Sequence, residues 1–139
     1  MTALLIAALI LSIAFAAMCN AVMDTLVHHW EDSIFNNPDA YDEQFWNPQL
    51  SDLNKYKNRD PEQGEKFWGS TTFFVWTTDA WHRFQFYMLS GIGSALICAM
   101  GIGQTPWWGY VTMFVGFRVL WGLVFELFYK YLLIKKSER

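Results

Sequence analysis

The chain has 139 residues and a formal net charge of −3, and it is 53% hydrophobic and 19% aromatic. This length suffices for one domain. A soluble domain spreads charged side chains over its whole surface, whereas residues 1–23 and 84–117 contain none. No long basic stripe is present, which argues against nucleic-acid binding. The composition therefore predicts an all-α membrane protein with three transmembrane helices.

The first predicted element is a transmembrane helix over about residues 2–33. Its first 23 residues are mostly apolar and long enough to span a bilayer. No basic residue precedes the central loop, so the positive start of a cleaved signal peptide is missing and we expect the helix to be retained. Polar residues recur along one face of its last turns, at spacings of three and four: Asn20, Asp24, His28 and Glu31. Such a face points to a bundle interior or to water; the alternative is simply the wet end of a helix leaving the bilayer.

The next predicted element is a long interfacial loop over residues 34–69. It contains Asn-Pro at 37–38 and 47–48 and Asp-Pro at 60–61, which initiate turns. Its many aromatic residues argue against disorder, so we expect an ordered cap with short helical turns. Four basic side chains in or next to the loop are candidates for contact with lipid phosphates, the alternative being a solvated surface: Lys55, Lys57, Arg59 and Arg83.

A resemblance covers roughly the middle third of the chain. It is carried by four stretches: Trp46-Asn47-Pro48-Gln49-Leu50-Ser51, Asn54-Lys55-Tyr56-Lys57-Asn58, Gly69-Ser70-Thr71-Thr72 and Thr78-Asp79-Ala80-Trp81-His82. In these stretches the sequence resembles a group of small bacterial integral membrane proteins of uncharacterised activity. The resemblance implies membrane insertion and carries no function with it.

The second predicted helix covers residues 70–103, with Ser70 or Thr71 as its N-cap. About 30 residues give about 45 Å, which exceeds the hydrocarbon core, so its first turns would stand in the interface. Asp79 and His82 lie one turn apart on one face. That face continues through four more residues, of which two are small enough to permit close helix approach: Phe86, Ser90, Gly93 and Ile97. The acid and the imidazole are therefore expected to point toward a packing surface, unless that end of the helix is simply wet.

A turn over residues 103–106 precedes the third predicted helix, at about residues 107–135. Trp107 and Trp108 would mark the interface at its start. Four residues follow at intervals of four along one stripe: Arg118, Gly122, Glu126 and Lys130. Arg118 would lie near the middle of the bilayer, where an unpaired charge is costly. Since Glu126 is about 12 Å away along the same helix, Arg118 is predicted to be a buried charge with an acidic or carbonyl partner elsewhere in the bundle.

Three spans place the central loop and the C-terminus on the same side of the membrane. Both segments carry basic residues, and the other side has no Lys or Arg. The positive-inside rule therefore predicts an external N-terminus and a cytoplasmic loop and C-terminus. We expect the membrane to be the bacterial inner membrane.

The two cysteines, Cys19 and Cys98, fall at different depths in this arrangement. Their separation along the membrane normal should be roughly 20 Å. A disulfide needs Cα atoms within about 7 Å. The sequence therefore predicts two free, buried thiols.

The predicted topology brings five candidate metal ligands to the cytoplasmic boundary: Asp24, His28, Asp79, His82 and Glu126. Imidazole and carboxylate ligands together suit a divalent transition metal, namely zinc, iron or manganese. Asp79, His82, Asp24 and His28 are also the candidate catalytic residues. The pattern favours a single-metal or two-metal site acting on a lipid or another amphipathic substrate, although no HExxH signature is present.

Two other kinds of function stay open at this point. The polar cluster could be a non-catalytic hydrogen-bond network in a structural or accessory subunit of a membrane complex. Alternatively, its acids, histidines and Arg118 could form an ion or proton pathway in an oligomer. Three helices leave little room for a protected cavity. We therefore expect a homo-oligomer or a larger membrane complex, with membrane lipids as the other partners.

Overall fold

The computed structural model describes residues 2–103 and 106–135. Its five α-helices are α1 (Thr2–His28), α2 (Glu43–Trp46), α3 (Pro48–Ser51), α4 (Ala80–Gly101) and α5 (Trp107–Glu126), and α5 continues as a π-helix over Leu127–Leu132. Three helical stretches are long and apolar enough to cross a membrane: Thr2–His28, Ala80–Gly101 and Trp107–Leu132. The all-α fold with three spans is confirmed.

Two helix ends differ from the sequence-based prediction. α1 ends at His28 rather than near residue 33. α4 begins at Ala80 rather than at residue 70, because Asp79 adopts an extended conformation and accepts a hydrogen bond from the backbone amide of His82. Ser70 caps no long helix and instead donates its hydroxyl to the carbonyl of Lys55 at 2.7 Å.

Parts of two segments discussed in the sequence analysis, the turn and the C-terminal tail, lie outside the described residues. Gln104 and Thr105, in the predicted turn over 103–106, belong to this part, and so do residues 136–139 of the basic C-terminal tail. On the near side of the turn, Gly103 has a φ of 98°. On the far side, Pro106 precedes the first residue of α5 and acts as its N-cap.

α1 forms the centre of the bundle, with α4 packed along one side and α5 along another. The two helices approach each other closely at Gly91, where an added Cβ would lie 3.0 Å from the Cβ of Ala16 and 3.0 Å from the carbonyl oxygen of Ser12. The packing face predicted from Ser90 and Gly93 is wrong. Ser90 is exposed, and a Cβ added at Gly93 would meet nothing within 4 Å.

An apolar groove opens between α4 and α5, which make little direct contact with each other. Its volume is about 520 Å³. α1 contributes Ile13 to the lining, α4 contributes Ala95, and α5 contributes Phe114 and Phe117. No residue of α5 is buried. The bundle is therefore open along one side over much of its membrane depth.

The central loop is ordered by side-chain amides and by rings. Gln44 Nε2 donates to Asn54 Oδ1 at 2.8 Å, and Asn54 Nδ2 donates back to the Gln44 carbonyl at 2.8 Å and to the Thr78 carbonyl at 3.0 Å. The Trp46 ring stacks on Phe35 with centroids 4.7 Å apart. The expected cap with short helical turns is thus present, and Asn54 ties it to the start of α4.

A backbone clasp, formed by residues 32–36 and 133–135, joins the exits of the first and last spans. The Ile34 amide donates to the Leu133 carbonyl at 2.9 Å, and the Lys135 amide donates to the Asp32 carbonyl at 2.8 Å. Lys135 Nζ also donates to the Asn36 carbonyl at 2.9 Å. The clasp holds α5 against α1 on the side of the membrane that carries the loop.

Glu65 makes the second half of the loop sensitive to acid. Its carboxylate accepts the hydroxyl of Thr71 and the amide of Gly69, the latter at 2.9 Å. These bonds, the hydroxyl first, lower the pKa of Glu65 below its ordinary value of 4.5. A depressed pKa stabilises the folded loop fully above pH 4.5, and this stabilisation is lost as the pH falls through the folded-state pKa.

We therefore expect the amides of Gly69 and Thr71 to lose hydrogen-exchange protection as the pH falls below 4.5. Glu65→Gln is the control, since it lacks the titrating group. In that variant the protection of both amides should not change between neutral and acid pH beyond the intrinsic exchange rate. Equal acid sensitivity in the two proteins would contradict the assignment.

Candidate functional site

On the loop side of the bundle, a buried acid, Asp79, is paired with His82. Asp79 is 2% exposed; its Oδ1 accepts the backbone amide of His82 at 2.8 Å, and its Oδ2 lies 2.6 Å from His82 Nδ1. The Thr78 hydroxyl lies 3.1 Å from the same Oδ2. The two side chains meet because the acid occupies the N-cap and the histidine follows three residues later. The pair fixes the start of α4.

His82 remains partly open to its surroundings. Its side chain is 22% exposed, and the Trp81 ring lies edge-on to it with centroids 5.1 Å apart. The bond to Asp79 uses Nδ1 of the ring. Within residues 2–103 and 106–135, the other ring nitrogen, Nε2, has no hydrogen-bond partner. The imidazole is therefore oriented by a carboxylate through one nitrogen, and its side chain stays partly exposed.

Lys55 lies close enough to Asp79 for the two charges to interact. Its Nζ donates to Asp52 Oδ1 at 2.8 Å and stands 5.6 Å from the centroid of the Tyr56 ring. The hydrogen bond to Asp52 raises the pKa of Lys55 above its ordinary value, and the charge of Asp79 adds a smaller contribution. The sequence did not reveal this neighbourhood, because Lys55 is 24 residues away from Asp79.

Three of the four predicted lipid-contact residues have partners within the protein. Besides Lys55, Arg59 donates to the Leu50 carbonyl at 2.7 Å, and the Arg83 guanidinium lies 4.5 Å from the centroid of the Phe45 ring. Arg83 also donates to the Trp76 carbonyl at 3.4 Å. Lys57 is exposed. Lipid contact by these residues stays a prediction.

The five predicted metal ligands do not converge. Across the part of the chain that the structure describes, no group of three or more His, Cys, Asp or Glu residues could hold a metal ion. Asp24 is half-buried and near Tyr129, His28 is exposed at the end of α1, and Glu126 pairs with Lys130 at 2.5 Å.

The reason for this difference is the role of Asp79. The prediction placed it inside a helix that began ten residues earlier, where its side chain would project sideways toward α1. At the N-cap its carboxylate instead turns back onto its own helix. Only Asp79 and His82, of the five, are brought into contact.

Arg118 differs most from expectation. It is exposed rather than buried, because α5 packs on α1 through another side of the helix. Among residues 2–103 and 106–135 it has no hydrogen-bond or ion-pair partner. The charge that the sequence places in the third span is therefore exposed, and the residues that the structure describes supply nothing to neutralise it.

Both cysteines are free, as expected. Cys19 is buried in α1, whereas Cys98 is only half-buried in α4. Neither contacts the polar residues of the loop side in a way that would add a thiolate ligand.

These features define an integral membrane protein with three spans, capped on one side by an ordered loop that holds a buried Asp–His pair. A scan against protein-family models finds no match, and searches of curated proteins and of solved structures find none either. The resemblance to small bacterial integral membrane proteins accordingly stays a prediction.

Proposed function

We propose that this protein is a structural or accessory subunit of a membrane complex. The observation that carries the proposal is Arg118, an exposed charge in the third span for which the described part of the chain offers no partner. A charged side chain at the centre of a bilayer costs about 3 kcal/mol or more. A partner that neutralises it would recover much of that cost, so the chain is better suited to an assembly than to standing alone.

The surface of α5 supports the same proposal. None of its residues is buried, and a Cβ added at Gly116 or Gly122 would meet nothing within 4 Å. Small residues with open space above them allow another helix to approach closely in a membrane. The Asp79–His82 pair also fits a structural role, because its hydrogen bonds cap α4 and so fix where this helix begins.

The proposed orientation follows from charge. The ordered loop and the described end of the C-terminal segment lie on the same side, and that side carries the basic residues. The positive-inside rule supports a cytoplasmic loop and an external N-terminus. We propose the inner membrane of a bacterium as the location.

Site-specific photo-cross-linking in native membranes tests the proposal. A photoreactive residue at Phe114, on the open side of α5, should give a discrete protein adduct of constant mass. The matched control is Trp68, an exposed aromatic of the loop, which should give none of that adduct. Lipid adducts alone at both positions would contradict an accessory role.

A second candidate, a metal-dependent or catalytic site, is favoured by the orientation of His82. Histidines that bind metals commonly donate their other ring nitrogen to a carboxylate, as Nδ1 of His82 does to Asp79. Its test is elemental analysis of protein purified without chelators. One zinc, iron or manganese per chain, lost in His82→Gln, would establish the candidate, whereas metal-free protein would remove it.

A further inference from the structure

We propose that an aromatic surface of the loop, formed by Phe67, Trp68, Phe73 and Phe74, inserts into the headgroup region of the bilayer beside α4. The partner of this surface is therefore lipid, and the contact is separate from the accessory role proposed for the third span. Three observations carry the proposal. The rings are exposed and held in place, the segment that bears them packs along α4, and that segment contains no acidic residue.

The loop exposes several large rings in one place. Trp68 is 78% exposed and Phe73 is 77% exposed, and Phe67 and Phe74 are exposed as well. The centroid of the Trp68 ring lies 6.4 Å from that of Phe73 and 5.9 Å from that of Phe74, so these rings form a continuous surface. By contrast, Trp46 packs its ring on other rings of the loop. An exposed apolar patch of this kind is typical of a contact with a membrane or with another protein.

Glu65 holds the turn that presents the rings. Its carboxylate accepts the Gly69 amide at 2.9 Å and the Thr71 hydroxyl. Gly69 has a φ of 76°, a conformation that favours glycine, and its carbonyl accepts the Phe74 amide at 2.8 Å. The rings are therefore ordered before they meet lipid, so that their insertion costs little conformational entropy.

The position of the next residues, along the first turns of α4, identifies lipid as the partner. The Trp76 ring stacks on Phe86 with centroids 4.9 Å apart, and the Trp76 carbonyl accepts Nε of Arg83 at 3.4 Å. Phe86 is 44% exposed and belongs to a candidate membrane span, whose charge-free part begins at residue 84. Phe86 therefore faces lipid close to the membrane boundary. Phe74 is two residues from Trp76, so the aromatic surface continues the lipid-facing surface of α4.

The distribution of charge also favours a membrane surface. Residues 66–78 contain no Asp or Glu and one basic residue, Lys66, which is exposed. Aromatic rings are enriched where membrane meets water, and a lysine there is attracted to anionic headgroups. Residues 31–43, in contrast, contain five acids and no Lys or Arg. The loop thus has one segment suited to headgroups and another suited to water.

The test measures the depth of a nitroxide label on the full chain in liposomes of phosphatidylethanolamine and phosphatidylglycerol. The label is attached at Trp68→Cys in a chain that also carries Cys19→Ala and Cys98→Ala. Electron paramagnetic resonance compares its accessibility to oxygen, which concentrates in lipid, with that to a water-soluble nickel chelate. The matched control is Asp39→Cys, at an exposed acid of the loop. We expect the ratio of oxygen to nickel accessibility to be roughly fivefold higher at position 68 than at position 39.

A label at Phe73→Cys repeats the measurement without altering Trp68, and it should give the same result. This second position keeps the test decisive if Trp68→Cys disturbs the turn. In the chain labelled at position 73, Glu65→Ala should lower the ratio by about half, because the turn that presents the rings is released. The same substitution should leave the ratio at position 39 unchanged.

Two results would overturn the proposal. Labels at positions 68 and 73 that are as accessible to the nickel chelate as the label at position 39 would place the rings in water. Low accessibility to both reagents would place them against protein, and dipolar broadening between labels would then identify a second copy of this chain. Cross-linking at Phe114 tests the accessory role independently, so failure of either proposal leaves the other standing.

Discussion

Gly91→Leu is expected to lower the free energy of unfolding by about 3 kcal/mol or more. Even a Cβ at this position would lie 3.0 Å from the Ala16 Cβ and 3.0 Å from the Ser12 carbonyl oxygen. One of these atoms belongs to the backbone of α1 and cannot rotate away. A leucine therefore forces α4 away from the central helix at this point of close contact.

The matched control is Gly93→Leu. A Cβ at Gly93 meets nothing within 4 Å, and the site is on the same helix only half a turn away. Its effect on stability should stay within about 1 kcal/mol. Unfolding by SDS in mixed micelles, followed by circular dichroism, measures both. Similar losses in the two variants would contradict the observed packing of α1 on α4.

Asp79→Ala is expected to cost about 2 kcal/mol of stability. Loss of a capping side chain accounts for about 1 kcal/mol, and loss of the hydrogen bond to the His82 ring accounts for most of the rest. The cost is moderated because His82 is partly exposed, so water can replace the carboxylate. The start of α4 should fray, with increased hydrogen exchange at the amide of His82.

Asp79→Asn separates the cap from the charge. Asparagine retains an oxygen that can accept the His82 amide, so we expect about half of the alanine effect. Asp39→Ala, at an exposed acid of the same loop, should have no measurable effect. An Asp79→Ala protein as stable as the unsubstituted protein would show that the pair does not organise this end of α4.

The spans were predictable from the sequence because length and apolarity alone decide them. Residues 2–28 and 107–132 are apolar over more than the thickness of a bilayer core. That the loop is ordered was also predictable, since aromatic residues that are this frequent in a segment pack on one another, as Trp46 does on Phe35. These properties depend on composition within a segment and not on how segments meet.

The start of α4 was not predictable, because several candidate caps compete. Ser70, Thr71 and Asp79 all have suitable side chains. Tertiary contacts decide among them: Ser70 donates to the Lys55 carbonyl, and Thr71 donates to Glu65. Only Asp79 is left to begin the helix, and this follows from contacts across the loop.

The candidate site was predicted only in part for a related reason. Periodicity shows which residues share one face of a helix, but not how that face is rotated relative to a neighbour. It correctly grouped Asp79 with His82, one turn away. It placed the α4 packing face on Gly93 rather than Gly91, and it placed Arg118 inside a bundle that is open on that side.

The clasp between residues 32–36 and 133–135 has a consequence for biogenesis. Its bonds join distant positions in the chain, such as Lys135 and Asn36, so they form only after residues 133–135 have left the ribosome, well after the first two spans have been synthesised. Until these bonds form, the third helix is attached to the bundle only at its N-terminal end, where it follows α4. A companion subunit synthesised at the same time would first meet a two-helix intermediate, and it would find the loop-side end of α5 held against α1 only once residues 133–135 have been made.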